Sequence, residues 1–298
     1  MTEVVAGLDI GATKIAVRVE SLSGEVLTDL VIPATGWAVE PADRAAAYLR
    51  DRLDPAVPAG GSVRAVGVGA QNGDSAQICD DLRDALARLG YRCTVVNDAA
   101  LLVPAAGATA GIGVIAGTGS IAVGTDASGT TIAAGGWGWV IGDDAGGSGI
   151  LREAVKAALF AHDAGRGDDG LLGALCAAYG VPTAERLARA VNDDPTVANW
   201  APYAPVVLAA ADAGSAVAAE VVEQAGESLA VLVDQLVARG AVGDTVVAAG
   251  GVIVGAPRLY EALRARLATR QPHLRLVLLT EPPVVGAVTL ARRLLAGD

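Results

Sequence analysis

Residues 4–14 of the chain read VVAGLDIGATK, an apolar run that ends in Asp9 and is followed by a turn of Gly, Ala, Thr and Lys. Residues 15–19 then alternate in the manner of a half-buried strand, and residues 26–32 predict a third strand. The same order of strand, Gly/Thr turn, strand, Gly turn and strand starts again at Ile112 and runs to residue 134. The repeated pattern predicts an α/β protein with a duplicated mixed-sheet core.

Further strands and helices surround the two repeated units. Apolar runs predict strands over residues 63–70, 94–96, 246–249 and 274–279. Helical spacing of apolar residues predicts a helix over 76–89 and an apolar helix over 99–106. The second half is mainly helical, with predicted helices at 150–162, 171–179, 184–191, 216–239, 257–270 and 286–295. Residues 165–170 and 193–205 carry the Gly, Asp and Pro typical of connections.

Composition limits the class of protein. Of 298 residues, 52% are hydrophobic but only 3% are aromatic, so the core must consist mainly of Val, Ala, Leu and Ile. The net charge of −11 argues against nucleic acid as the main partner, because phosphate backbones need a basic surface. No stretch approaches the roughly 18 uninterrupted apolar residues of a membrane span. We therefore expect a cytoplasmic protein that binds neither nucleic acid nor membrane.

The first Gly/Thr turn has the groups that an anion site needs. Gly11 allows close backbone approach, Thr13 supplies a hydroxyl and Lys14 an ammonium, while Asp9 could lie beside Mg²⁺ or its waters. An ordinary hairpin with a solvated lysine explains this segment equally well when it is taken alone.

The second turn, Gly117-Thr118-Gly119-Ser120, repeats this chemistry with two glycines and two hydroxyls. Such a turn suits a phosphate clamp, although it is also an acceptable hairpin turn. Its position in the second unit matches that of the first turn in the first unit. Two phosphate-binding hairpins could therefore face each other across a cleft.

Three other segments could carry chemistry. Asn97-Asp98 precedes an apolar helix, where Asp98 is either a helix cap or a general base. The Gly-rich residues 135–149 contain Trp137, Asp143 and Asp144, which could contact a sugar or belong to a solvated loop. Gly250-Gly251 follows a buried strand and could admit a nucleoside or simply form a tight turn.

In this order, the five segments resemble the nucleotide-binding pattern of the actin-like sugar kinases. The Gly-Gly-Trp-Gly stretch at 135–138, followed by Gly142-Asp143-Asp144, resembles more closely the BadF/BadG/BcrA/BcrD ATPase family, which includes N-acetylglucosamine kinases. The resemblance covers essentially the whole chain. It implies a two-lobed actin-like ATPase (ribonuclease H-like) fold, with residues 1–108 and a closing helix 287–298 in one lobe and 109–286 in the other.

The resemblance also implies roles for individual residues, with ATP and Mg²⁺ as cofactors. Asp98 would be the catalytic base, and Asp9 would organise Mg²⁺ through water. The phosphate contacts would be Gly11, Thr13, Lys14, Gly117, Thr118, Gly119 and Ser120, and the nucleoside contacts Gly250 and Gly251. The sugar contacts would be Gln71, Asn72, Asp74, Asn97, Trp137, Asp143 and Asp144.

Two segments depart from the family pattern. The usual loop Gly-Asp-Glu-Gly-Ser is replaced by Gly142-Asp143-Asp144-Ala145-Gly146, and a Gly-rich Ala/Ser-Gly loop by Gln71-Asn72-Gly73-Asp74. Both lie at expected sugar contacts, so they bear on the acceptor. We expect glucosamine, because acids would attract its ammonium, and the resemblance implies its 6-hydroxyl as the target. N-acetylglucosamine or another hexose is the alternative.

Other functions within the same superfamily remain open. An activator ATPase needs an iron–sulfur cluster, and Cys79, Cys93 and Cys176 lack the spacing for one. A zinc-containing regulator needs a Cys/His cluster, whereas His162 and His273 are isolated. A nucleotide-binding sensor or filament protein would bind ATP without acceptor-dependent turnover. A homodimer is compatible with the resemblance, although no segment carries an interface signature.

Overall fold

The computed structural model describes residues 2–11, 13–73 and 75–297. Its framework consists of two five-stranded sheets with strand orders β3-β2-β1-β4-β5 and β10-β9-β6-β7-β8. The first sheet contains β1 (Thr2–Ile10), β2 (Lys14–Ser21), β3 (Val26–Pro33), β4 (Gly61–Ala70) and β5 (Cys93–Asn97). The second contains β6 (Ile112–Ala116), β7 (Ser120–Thr125), β8 (Thr131–Gly135), β9 (Thr245–Ala249) and β10 (Arg275–Leu278).

The two sheets have the same topology. In each, the first three strands form an antiparallel meander, and the first strand also pairs in parallel with a later strand, β4 or β9. A further parallel strand, β5 or β10, completes each sheet. The duplicated mixed-sheet core predicted from the two Gly/Thr turns is therefore confirmed.

Helices cover both sheets. In the first half they are α1 (Ala42–Leu53), α2 (Ala76–Arg88) and α3 (Leu102–Ala105), with α3 preceded by a 3₁₀ turn, Asp98–Leu101. In the second half they are α4 (Gly147–Asp163), α5 (Leu171–Tyr179), α6 (Ala184–Asn192), α7 (Val197–Trp200), α8 (Ala204–Asp212), α9 (Ala216–Ala238), α10 (Gly251–Gly255), α11 (Pro257–Arg270) and α12 (Val284–Ala296). Within the described residues, no single helix has the length and apolarity to cross a membrane, although Val197–Asp212 and Ala216–Ala238, bent by 117°, reach that standard together.

Each sheet has a hydrophobic core on either face. In the first sheet, Leu49 of α1 and Leu82 of α2 pack with Leu8 and Val17 on one face. On its other face, Val5 packs with Val288 of α12. Since α12 follows all strands of the second sheet in sequence, the chain returns at its end to the sheet where it began.

The contact between α12 and the first sheet requires residues without side chains on two neighbouring strands. A Cβ atom built on Gly67 of β4 would overlap the carbonyl oxygen of Ala287, and one built on Gly7 of β1 would lie 2.8 Å from the backbone nitrogen of Val288. The backbones of helix and strands therefore approach more closely than any larger residue would permit.

Residues 98–105, the 3₁₀ turn and α3, form a connecting helix between the two sheets. A Cβ on Gly113 of β6 would lie 2.7 Å from the carbonyl oxygen of Ala99, at the start of this helix. A Cβ on Gly286 of α12 would overlap the carbonyl oxygen of Leu101. The connecting helix is thus held by the second sheet on one side and by α12 on the other.

Four helices differ from expectation, one of them α10, over which no helix was predicted. No element was predicted around α1, where Ala45, Ala46, Leu49 and Leu53 are buried. The connection predicted over 193–205 was partly wrong, because α7 begins inside it, with the Thr196 hydroxyl accepting a hydrogen bond from the Asn199 N–H at 3.2 Å. Pro205 suggested a loop but stands in the first turn of α8, where a missing N–H costs nothing.

We expect Gly67→Ala to lower the free energy of unfolding by about 1–3 kcal/mol or more, because α12 must move away from β4. Guanidinium denaturation monitored by circular dichroism measures the change. Gly167→Ala is the matched control, since a Cβ there would contact nothing within 4 Å. Equal stability of the two variants would contradict the close packing of α12 on the first sheet.

Candidate active site

The first group of candidate residues lies where three adjacent strands end. Ile10 of β1 is in register with Ala70 of β4, and Ala70 is in register with Asn97 of β5. The N–H of Gln71 donates to the carbonyl oxygen of Ile10 at 2.9 Å. Because parallel strands end at a common edge, Asp9, Gln71 and the Asn97-Asp98 pair lie along one edge of the first sheet.

Asp9 is in an electrostatically unfavourable position. Burial raises the pKa of its carboxyl from 3.8 to about 7, repulsion from Asp98 adds to the rise, and Lys14 opposes it. Asp9, Asp98 and Lys14 are therefore close enough to interact. A carboxylate pair of this kind gains stability from a bound cation.

Asp98 begins the connecting helix. Asn97 is the helix cap, since its buried Oδ1 accepts a hydrogen bond from the Ala99 N–H at 3.0 Å. Asp98 Oδ1 accepts from the same N–H, also at 3.0 Å. Asn97 therefore occupies the cap position, and the Asp98 carboxylate, which shares the same N–H, is fixed at the start of the helix.

The first Gly/Thr turn joins β1 to β2. The Gly11 N–H donates to the carbonyl oxygen of Lys14 at 3.0 Å, and the Thr13 carbonyl oxygen accepts from the Ala34 N–H at 3.1 Å. The Thr13 and Lys14 side chains are exposed. Both side chains can therefore reach a ligand at this edge of the sheet.

The predicted sugar loop follows β4. Asn72 has φ of 64°, in the left-handed region, and the Gly73 N–H donates to the carbonyl oxygen of Ala70 at 3.0 Å. Trp37 Nε1 donates to the carbonyl oxygen of Gln71 at 3.4 Å. Asp74, the remaining predicted contact here, lies outside the described residues.

The second Gly/Thr turn joins β6 to β7 and rests on the start of α4. The Gly117 N–H donates to the Gly119 carbonyl oxygen at 2.9 Å, and the Gly147 N–H donates to the Gly117 carbonyl oxygen at 2.8 Å. The Ser120 hydroxyl accepts from the Ala145 N–H at 3.3 Å. The turn is therefore held by the same Gly-rich loop that carries Asp143 and Asp144.

The Gly250-Gly251 turn lies beside this second Gly/Thr turn. Ile115 of β6 and Ala249 of β9 are parallel partners, so both turns leave the same edge of the second sheet. A Cβ on Gly250 would overlap the Ala116 carbonyl oxygen and lie 2.9 Å from the Gly117 nitrogen, whereas a Cβ on Gly251 would meet nothing within 4 Å. This arrangement fits a nucleotide, because bare backbone from two turns meets beside open space.

Asp143 touches the second Gly/Thr turn directly. Its Oδ1 accepts a hydrogen bond from the Ser120 N–H at 3.2 Å, and its backbone φ is 56°. Burial raises the pKa of Asp143 and the Asp144 charge adds to the rise, while the Ser120 hydrogen bond and the Arg152 charge lower it, leaving the pKa above its ordinary value. The turn thus presents an N–H that already binds an anionic oxygen.

A cavity of about 280 Å³ opens beside this contact. It brings together one predicted phosphate residue and three predicted sugar residues: Ser120, Trp137, Asp143 and Asp144. Trp137 is 75% exposed. Asp144 is paired with Arg152 at 2.5 Å, and Arg152 also donates to the Trp139 carbonyl oxygen at 2.6 Å.

The predicted sugar residues fall into two groups. Gln71, Asn72 and Asn97 lie at the edge of the first sheet, whereas Trp137, Asp143 and Asp144 line the cavity of the second. The connecting helix relates the two edges, because it begins at Asp98 and contacts Gly113 of β6. From Gly113 the second Gly/Thr turn lies roughly 13 Å further along the strand at the usual rise per residue.

Sequence reasoning did not find several residues of the site. Glu227, Ser228 and Gln235 of α9 line the cavity, Arg152 of α4 anchors Asp144, and Trp37 holds Gln71. The spacing of residues 228, 231 and 235 places them on one face of α9. Nothing in the spacing shows that this face lies against the Gly-rich loop, since that depends on the packing of α9 over β7 and β8.

We expect Asp9→Asn to gain stability relative to the native chain as pH rises. Because the folded pKa of Asp9 lies above its unfolded value, its contribution is fully present below about pH 4 and is lost as pH rises through about 7. The difference in unfolding free energy should therefore grow by on the order of 1–4 kcal/mol between about pH 4 and pH 8. Denaturant titrations across this range measure it, with Asp163→Asn as control, and a flat difference would contradict the buried, repelled carboxylate.

The chain is similar to known sugar kinases over nearly its whole length. The chain is 27% identical over 300 residues to the N-acetylmuramic acid/N-acetylglucosamine kinase of Clostridium acetobutylicum, covering 97% of this chain and 98% of the relative. A proposed N-acetylglucosamine kinase from Chromobacterium violaceum superposes with a TM-score of 0.67 at 24% identity, covering 97% of this chain and 98% of that one. A ROK family glucokinase from Streptomyces griseus, solved with glucose and AMPPNP, gives a TM-score of 0.57 at 18% identity, with the same coverage.

These likenesses confirm the predicted fold class, the two-lobed actin-like ATPase fold. The family model of the BadF/BadG/BcrA/BcrD ATPases matches residues 6–291, nearly the whole chain. The chain therefore belongs to the BadF/BadG/BcrA/BcrD ATPase family.

Proposed function

We propose that this protein is an ATP-dependent amino-sugar kinase that phosphorylates the 6-hydroxyl of glucosamine by direct in-line transfer. One observation carries the proposal above the others. The Asp98 carboxylate lies at the start of the helix that joins the two sheets, on the edge that holds Asp9 and Lys14. The same helix contacts Gly113 of β6, the strand that leads into the second Gly/Thr turn. A base in that position can reach an acceptor held between the two edges.

The nucleotide would lie mainly against the second sheet. The backbone of Thr118–Ser120 would bind the phosphates through N–H groups, and Gly250-Gly251 would admit the nucleoside to open space. From the first sheet, Thr13 and Lys14 would reach the outer phosphates with a hydroxyl and an ammonium. This division explains how a chain of net charge −11 can bind a polyanion.

Mg²⁺ fits the edge of the first sheet, because Asp9 is a buried carboxylate that is repelled by Asp98 and would be stabilised by a cation. When bound, Mg²⁺ would neutralise the negative charge that develops on the phosphates during transfer. Asp9 would hold it, through water, while Lys14 supplies a second positive charge nearby.

Asp98 would act on the acceptor. Its fixed carboxylate would accept the proton of the sugar 6-hydroxyl as that oxygen attacks the outermost phosphate, in line with the departing ADP oxygen. Asn97 keeps the start of the helix in place through its bond to the Ala99 N–H. Closure of the two lobes would exclude water and align the reacting atoms.

The cavity beside the second Gly/Thr turn supports an amino-sugar acceptor. Asp143 and Asp144 line it together with Glu227, and this anionic lining would favour the ammonium of glucosamine. Trp137 offers an aromatic face for a sugar ring.

N-acetylglucosamine is the second candidate, and a specific feature favours it. Val231 and Leu232 form an apolar wall of the same cavity, which would receive an acetyl methyl group. The relative from Clostridium acetobutylicum is named for N-acetylated sugars. An N-acetylated acceptor would use this wall, whereas glucosamine would use the acids.

We expect Asp98→Asn to reduce phosphate transfer to glucosamine by at least about 100-fold, because general base catalysis is typically worth that much. Formation of the sugar phosphate is measured by mass spectrometry and ADP release by a coupled assay. AMPPNP affinity, measured by calorimetry, should change little, because the Asn side chain keeps the shape of Asp.

Asp163→Asn is the matched control, since it makes the same chemical change on the exposed end of α4. It should retain native transfer. Native activity in Asp98→Asn would overturn the assignment of the base, and transfer to N-acetylglucosamine alone would replace glucosamine by the second candidate.

A further inference from the structure

The hydrogen bond between Asp143 and Ser120 joins the proposed phosphate turn to the proposed sugar loop. Ser120 closes the turn proposed to hold phosphate, and Asp143 belongs to the loop proposed to hold the sugar. The Ser120 N–H donates to Asp143 Oδ1 at 3.2 Å. A Cβ on Gly119 would lie 2.6 Å from Asp143 Oδ2, so both carboxylate oxygens lie against the turn. A carboxylate therefore occupies an N–H that a phosphate oxygen would use.

The Asp143 backbone has an uncommon conformation. Its φ of 56° lies in the left-handed region, which non-glycine residues adopt rarely. The neighbouring Asp144 places a second carboxylate beside it. A second carboxylate therefore lies beside the one that accepts a hydrogen bond from the Ser120 N–H.

The loop around Asp143 is anchored independently of this contact. Arg152 pairs with Asp144 at 2.5 Å and donates to the carbonyl oxygens of Trp139 and Gly142, at 2.6 and 3.3 Å. Trp139 in turn packs edge-on against Trp200, with ring centroids 4.9 Å apart. The Asp143 side chain can therefore leave the turn while the rest of the loop stays in place.

We propose that Asp143 is a positioning residue that occupies the phosphate turn in the absence of nucleotide and is displaced toward the acceptor cavity when a phosphate binds. The proposal rests on the proposed function, since it assumes that the turn at Gly117–Ser120 binds phosphate. Phosphate and carboxylate are both anions and compete for the Ser120 N–H. The displaced carboxylate then becomes an acceptor for hydroxyl or ammonium groups in the cavity that it already lines.

This competition links the two ligands. Nucleotide binding releases Asp143 for the sugar, and a sugar that holds Asp143 vacates the turn for phosphate. By thermodynamic reciprocity, each ligand raises the affinity for the other by the same factor.

The test is nucleotide binding in the absence of sugar. We expect Asp143→Asn to bind AMPPNP with Mg²⁺ at least about fivefold more tightly than the native chain, because the internal anion is gone. Adenosine affinity should not change, since adenosine carries no phosphate to compete. Isothermal titration calorimetry measures both ligands.

Asp144→Asn is the matched control. It removes the same charge from the same cavity, but Asp144 is bonded to Arg152 rather than to the turn. Tighter AMPPNP binding in Asp143→Asn than in Asp144→Asn supports the competition. Equal tightening in both would show a general charge effect, and no tightening in Asp143→Asn would show that the contact does not compete; either result overturns the proposal.

The same titrations distinguish failure of the proposed function from failure of the role of Asp143. If the native chain and both variants bind neither AMPPNP nor adenosine, the turn is not a nucleotide site, and the proposed function and this inference are both rejected. If the native chain binds AMPPNP but Asp143→Asn gains nothing over Asp144→Asn, the proposed function stands and only the role of Asp143 is rejected.

Discussion

The site depends on the connecting helix, residues 98–105, which contacts both the second sheet and α12 on the first sheet. Its backbone meets Gly113 of the second sheet and Gly286 of α12, at distances that a larger residue would block. Its outer face packs with Val247 and Ala249 of the second sheet. Since Asp98 is the first residue of this helix, the contact that joins the two sheets also fixes the carboxylate proposed as the base. One short segment thus joins the two sheets and carries the carboxylate proposed as the base.

The site concentrates negative charge where a polyanion is proposed to bind. Asp9, Asp98, Asp143 and Asp144 all lie at the edges of the two sheets, and Lys14 and Arg152 only partly offset them. Affinity for nucleotide must therefore come from backbone N–H groups and from a bound cation rather than from a basic surface. The same charges favour a cationic acceptor, and the apolar wall of Val231 and Leu232 favours an acylated one. In the proposed kinase, the balance of these two features would decide the acceptor.

The fold and the strand ends of the site could be predicted from local sequence. The turns at residues 11–14 and 117–120 follow apolar strands. Because the end of a strand determines where the next loop begins, the positions of both turns could be predicted from the apolar pattern alone. The α1 helix was missed although its buried residues, Ala45, Ala46, Leu49 and Leu53, follow helical spacing. Pro205 was assigned to a loop because proline occurs both in loops and in the first turn of helices. The approach of Asp143 to Ser120 and of Glu227 to the cavity depends on packing between distant segments, which local patterns do not encode. Roles assigned through family resemblance remain predictions for each residue.

Acceptor-dependent release of ADP tests the central claim most directly. The purified protein would be supplied with Mg-ATP and, in parallel, glucosamine, N-acetylglucosamine, glucose or no sugar. We expect ADP release to be slow without sugar and to be stimulated most by glucosamine, with N-acetylglucosamine next. ADP release at the same rate in all four reactions would contradict a sugar kinase and favour an ATPase within the same family.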